Sequence, residues 1–441
     1  MSRGSMSQVV ERQDVFLAEA DRFARDRAVL RTPWAIDTRG RALARFAALG
    51  FPTTREEEWR FTSVAPIAET PFRLAVDTDG AAAVAARHAL EDAAVAVVVN
   101  GRFVPELSSL GGLPAGVEVC SLAAALAADG DLSARVARPG TWEDRPFAAL
   151  NTAFLDDGVL VRIAPKVVLE RPVQILFVAA PGPSPAMAHP RALVIAGAGS
   201  QARIIESYAG PAEPRYFTNA VVEIELGENA VLDHCRDQRE GAAACHLGLV
   251  LARCSRDSVF TSHNIVLGGW LVRNDIVAVL DGEGAECTLN GLYFADGDSL
   301  VDNHTQIEHA RPHCPSHELY KGILAGRARA VFNGKIIVRP AAQKTDAKQT
   351  NRALLLSDDA QINTKPQLEI FADDVKCTHG AAIGQLDEEA IFYLRARGLT
   401  AAEARDLLIH AFAGEILERV QPEALRARLE ETLFARMPRP G

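Results

Sequence analysis

From about residue 155 to Gln385 the chain alternates Val, Ile and Leu with polar residues in short runs, among them GVLVRIA, VQILFVAA, ALVIAGAG, VVEIEL, GLVLARC and DIVAVL. Turn residues separate the runs and helical spacing is nearly absent, which predicts an extensive β region. The region also repeats. A turn residue, two polar residues and a small residue recur at Ala202, Ala230, Ser258, Ala285, Ala330 and Ala360, in steps of 28, 28, 27, 45 and 30. A near-constant step is the signature of a solenoid whose coils stack on their neighbours. Short strands in coils of that length predict a β-helix, with the small residue at a stacked corner. The 45-residue step predicts an insertion or irregular coil around residues 296–320. A β-sandwich would give less regular spacing.

Helical patterns flank this region. Residues 10–32 place Val15, Phe16, Ala20 and Phe23 at helical spacing, and Thr54 and Glu57 in TTREEEWRF are spaced as a capping box. AVAVVVNGRFVPEL carries an Asn-Gly hairpin signal, and Cys120 to Ala128 reads as helix. ARPGTW, around Pro139 and Gly140, is the first boundary. After Gln385, Asp387 and Gly398 bracket one helix, and Thr400 with Glu403 opens another along Ala404, Leu407, Leu408, Ala411, Phe412 and Ile416. The predicted divisions are a helix-rich domain over 1–145, a β-helix over 146–385 and a helical domain over 386–441.

Composition narrows the function classes. Lys plus Arg is 47 against 57 for Asp plus Glu, a net charge of −10, whereas nucleic-acid binding favours a basic balance. No apolar run approaches the roughly 18 residues of a membrane span. MSRGSMSQVVERQD lacks the apolar stretch of a signal peptide. The seven cysteines are scattered with no C-x-x-C, which fits reduced thiols in a cytoplasmic protein.

Two clusters could carry chemistry. His304, His309, His313, Cys314 and His317 crowd HTQIEHARPHCPSHELYKG, but the spacing fits no zinc template, and the plainer reading is a set of exposed or hydrogen-bonded histidines. Cys377 and His379 lie two apart in ADDVKCTHGAAIG, so a strand would put them on one face. They could share a metal, form a nucleophilic pair, or be an inert thiol beside a satisfied imidazole. Gly334-Lys335 does not complete a phosphate-binding loop, since Arg329 stands five before Gly334 and Ile336 follows the lysine. No G-x-S-x-G or strand-led G-x-G-x-x-G occurs. A stand-alone β-helix enzyme acting on polysaccharide is the alternative class, but no paired-carboxylate array recurs in the coils.

The stretch NTKPQLEIFADDVKCTHGAAIGQLDEEAIFYLRARG, Asn363 to Gly398, resembles the SufB/SufD family of iron–sulfur cluster assembly proteins. So do LTAAEARDLLIHAFAGEIL and NGKIIVRPAAQKTDAKQTNRALLLS, and more weakly REEEWRFTSV, so the resemblance covers most of the chain. It implies a right-handed parallel β-helix between helical domains, working with SufB and two copies of the ATPase SufC. KCTHG is similar to the KCSHG-type motif of the SufD side, with Thr378 in place of Ser. Leu394 and Ala413 stand where SufB carries cysteines. By this resemblance the chain is a scaffold and not an enzyme, and His379 faces SufB, with Cys377 beside it. His379 is then the expected metal ligand in concert with SufB. Leu407, Leu408, Phe412 and Ile416 are the expected SufC docking surface. No cofactor is expected in the isolated subunit, only iron or a nascent Fe–S cluster held transiently in the complex. A homodimer of the lone chain stays open.

Overall fold

The computed structural model describes residues 3–437 apart from 27 and 184, and side chains from residue 13 onward. The opening residues of the signal-peptide reading therefore lie partly outside the described residues. The chain winds as a parallel β-solenoid of about eight turns. From Arg191–Ala196 onward each strand pairs with the strand two places on, so the path crosses from one sheet to the other and back. One sheet runs from Val117–Ser121 and Val159–Ile163 to Gln361–Ile370. The other runs from a hairpin, Ala94–Val99 and Arg102–Phe103, to Lys376–Gly384. Successive coils are in tight register, for example Val231 beside Val259 and Val259 beside Glu286.

The small-residue repeat is real but its phase differs from the expected one. Ser200, Ala230, Ser258, Ala285, Cys314 and Thr345 precede successive strands of the second sheet, and all are buried. Ser299, Ala328 and Ala360 hold the matching corners of the first sheet. Ala202 is one layer inward, in register with Leu232, and Ala330 is in register with Ile362, which follows Ala360 by two. The 45-residue step is thus a change of sheet. Residues 296–320 hold two regular strands, Leu300–His309 and Pro315–Leu324, with no inserted coil.

Branched and aromatic side chains fill the lumen between the sheets, with Val222, Ile276, Phe260 and Leu289 in one cluster. Helices cover the outer faces. Arg3–Asp26, Pro33–Leu49 and Pro146–Ala153 pack aromatic residues such as Phe16, Phe46 and Phe147 over Val221, Leu249 and Val331 of the first sheet. Ala401–Leu417 and Glu423–Arg436 lie over the second sheet, where Ile409, Ile416 and Leu429 meet Ile265, Leu292 and Ile323, and Glu388–Ala396 packs on Ala401–Leu417.

Local signals mostly hold. Asn100 and Gly101 adopt φ of 50° and 90°, the primed turn that hairpins favour. Asp387 accepts from the backbone of Glu389 and Ala390, and Gly398 has φ of 101° just past the helix. Thr400 and Glu403 form the expected capping box. The Thr54–Glu57 box does not form. Glu56 accepts from the Thr53 N–H instead, and the turn that follows is a single 3₁₀ segment, Glu57–Trp59.

The open end of the solenoid as candidate site

The last coil consists of Gln361–Ile370 and Lys376–Gly384, and each pairs on one side only. Both therefore present unpaired backbone groups and half-open side chains to solvent. Ile370, Phe371 and Ile383 are exposed here. The edge carries Lys365, Pro366, Glu369 and Lys376, but among the described residues no further strand pairs with it.

Register assigns the facing of each residue. Cys377 stacks on Ala347, and His379 stacks on Gln349. Ala347 and Gln349 are buried lumen residues, so the pair predicted to share a face does so, at the mouth of the lumen. His379 is exposed, whereas Cys377 is half-buried against Val338, Ala342 and Ala372. Burial pushes the Cys377 thiol up, which disfavours the thiolate in the lone chain. Among the described residues no three His, Cys, Asp or Glu side chains gather as a metal site. One imidazole and one protonated thiol do not by themselves make a closed ligand set.

The histidine-rich stretch is dispersed by the fold. His304 faces outward between Asp302 and Glu58. His309 is buried against Ser316 at 3.0 Å. His313 sits in a turn with φ of 60°. Cys314 is a corner residue whose Sγ lies 3.3 Å from the Gly282 carbonyl, and His317 is exposed.

The apolar stripe of Ala401–Leu417 splits in the same way. Ile416 is fully buried against the solenoid and is no part of the surface. Phe412 is half-buried under the Lys321 ammonium, 4.5 Å from its ring centre. Leu408 is half-buried, and Leu407 is exposed with Phe392 and Tyr393 of the preceding helix. Helix phase explains the split: Ile409, Ala413 and Ile416 form the inward row, which the sequence pattern merged with its neighbour.

Sequence reasoning missed a buried polar cluster under the N-terminal layer. Arg273 donates to Asp302 at 3.1 Å and to Asp275 at 3.0 Å, and its guanidinium lies 3.8 Å from the Trp59 ring centre. Thr62 donates to Asp302 at 2.6 Å. Burial alone would depress His304, but the charge of Asp302 and hydrogen bonds to Asp302 and Glu58 outweigh it and the nearby Arg273, and hold the imidazole above its usual value. Its hydrogen bond in turn holds Glu58 down at about 2. The partners lie some 240 residues apart in sequence, so no local pattern could reveal them.

Two family profiles match the chain. The one described as SUF system FeS cluster assembly, SufBD core domain, matches residues 177–412, and the SufBD protein N-terminal region matches 21–175. The chain belongs to the SufBD family. Among its relatives, an iron–sulfur cluster assembly SufBD family protein of Synechocystis is 36% identical over 88% of this chain and 88% of its own. The iron–sulfur cluster assembly protein SufD of Escherichia coli is 31% identical over 88% of this chain and 90% of its own length. The SufD protein of Bacillus subtilis is 25% identical over 65% of this SufBD chain. No described helix is long and apolar enough to cross a membrane.

Proposed function

We propose that this SufBD-family chain is the SufD-type scaffold subunit of a cytosolic SufB–SufC–SufD complex, with iron or a nascent Fe–S cluster as its cargo. The observation that carries this reading is the open last coil, which brings lumen-facing Cys377 and His379 to an unpaired edge. A second solenoid of like register can continue both sheets across that edge through main-chain hydrogen bonds. His379 would then offer one imidazole to iron opposite a thiolate of SufB, a donor pair suited to iron. Cys377 would line the same seam. The exposed surface around Leu407, Leu408, Phe392 and Tyr393 would take SufC, with Phe412 as its half-buried floor and Ile416 as core beneath. In this reading the role is structural and ligand-supplying.

The test is co-expression with SufB and SufC, followed by anaerobic spectroscopy of wild type against His379→Ala. The expected result is an assembled complex with reduced iron and cluster content. A His379→Ala complex that builds clusters normally in cells would overturn the ligand role. Failure of the wild-type chain to co-purify with SufB would overturn the scaffold reading itself.

A further inference from the structure

Below the mouth, the lumen is polar where a solenoid core is ordinarily apolar. The His379 column continues inward through Gln349 and Glu318, and the neighbouring column through Ala381, Asn351 and Tyr320. Gln349, Glu318, Asn351 and Tyr320 are each at least 96% buried. Gln349 Nε2 donates to Glu318 Oε2 at 2.7 Å, and Asn351 Nδ2 to Thr364 Oγ1 at 3.0 Å. Thr305 lies across the lumen against the Glu318 carboxyl without completing a well-formed hydrogen bond.

These contacts leave a line of orphans. Glu318 Oε1, Gln349 Oε1 and Asn351 Oδ1 are buried with no hydrogen-bond partner in the protein. Buried polar atoms are rarely left so, and ordered water is the usual partner. Among the described residues no Lys, Arg or His nitrogen lies within salt-bridge distance of Glu318. A buried carboxylate without a cation is costly, so the group takes up a proton instead. The titratable neighbours that face it, Tyr320 and Cys287, are themselves held protonated by burial. Burial likewise pushes the Glu318 carboxyl up to about 7, against the pull of Thr305 and Gln349.

We propose that Glu318 is a buried proton-holding site, joined to the open mouth of the solenoid by water that bridges the orphaned atoms of Glu318, Gln349 and Asn351. A proton leaving the carboxyl passes to the first water, which releases another toward the mouth. The carboxylate left behind is held by the Gln349 amide. This site stands on the stacked side chains and is independent of any metal role for His379.

Infrared difference spectroscopy of the isolated chain tests it. The protonated carboxyl should give a carbonyl band at pH 6 that fades near neutral pH and is absent in Glu318→Gln. In D₂O that band should shift much faster than global unfolding allows, and Gln349→Leu should slow the shift by about tenfold or more. Absence of the wild-type band at pH 6 would overturn the proton site. An exchange rate equal to that of global unfolding, or unchanged in Gln349→Leu, would overturn the link to the mouth.

Discussion

At the scale of single residues, the lumen explains why certain positions are glycine. A Cβ at Gly291 would lie 2.2 Å from the Tyr320 ring, and one at Gly334 would lie 1.9 Å from Gln349 Nε2. Both glycines clear space for a large inward side chain. Gly291→Ala should therefore cost about 1–3 kcal/mol in urea unfolding, and Tyr320→Ala combined with it should be less destabilising than the two effects added. Glu318 makes the opposite kind of prediction. Its folded pKa, about 7, stands above the usual carboxylate value. Stability is unaffected below the unfolded pKa, declines as pH rises toward 7, and stays lowered above it. Glu318→Gln should accordingly gain on the order of 3 kcal/mol at pH 8 and little at pH 4, read from urea midpoints at the two pH values. His304 moves stability in the same direction, as the loss of a favourable charge pairing and not the onset of a penalty. Its contribution, with a raised folded pKa, is full below the unfolded value and is lost as pH rises through the folded one. The Cys377–His379 pairing was legible because a spacing of two fixes a shared face on any strand. Glu318 was not, since its neighbours in the lumen lie a whole coil away.

At the scale of elements, caps and corners were legible because they rest on local chemistry. The Thr400–Glu403 box is one case, and Thr400→Ala should cost about 1 kcal/mol, seen as faster amide exchange at residues 401–404. The solenoid repeat was legible in period and not in phase. Small residues occupy both the corner and the lumen position two further on, as Ser200 and Ala202 do, so spacing alone cannot separate them. The face of the helix Ala401–Leu417 was misjudged for a similar reason: apolar residues occur on most of its sides, and only packing selects Ile409, Ala413 and Ile416 as the inner row. This distinction yields a test of the docking surface. Leu407→Asp should leave the melting temperature of the chain nearly unchanged and abolish co-purification with SufC, whereas Ile416→Ala should cost about 2–5 kcal/mol of stability.

At the scale of the whole molecule, stability in a stack of coils is close to a sum of each coil's own terms and its contacts with two neighbours. The final coil has one neighbour. It carries exposed Ile370, Phe371 and Ile383, so the lone chain should self-associate as its concentration rises, and Ile383→Lys should shift sedimentation toward monomer. The C-terminal helices are anchored elsewhere. Lys321 reaches Glu415 and donates to the Phe412 carbonyl at 2.9 Å, Arg419 donates to Asn290 at 3.0 Å, and Arg436 to Asp296 at 2.7 Å. Those anchor points sit two or more coils behind the mouth, and a further pair, Arg352 with Glu415 at 3.6 Å, sits one coil behind it. A load applied to the helices therefore enters the body of the stack at several coils, and reaches the last strand only through the short link from Gly384 to Glu388. Any motor gripping that surface would swing the whole barrel as a lever and part the seam along its full width at once, where a handle on the terminal strand would peel it thread by thread.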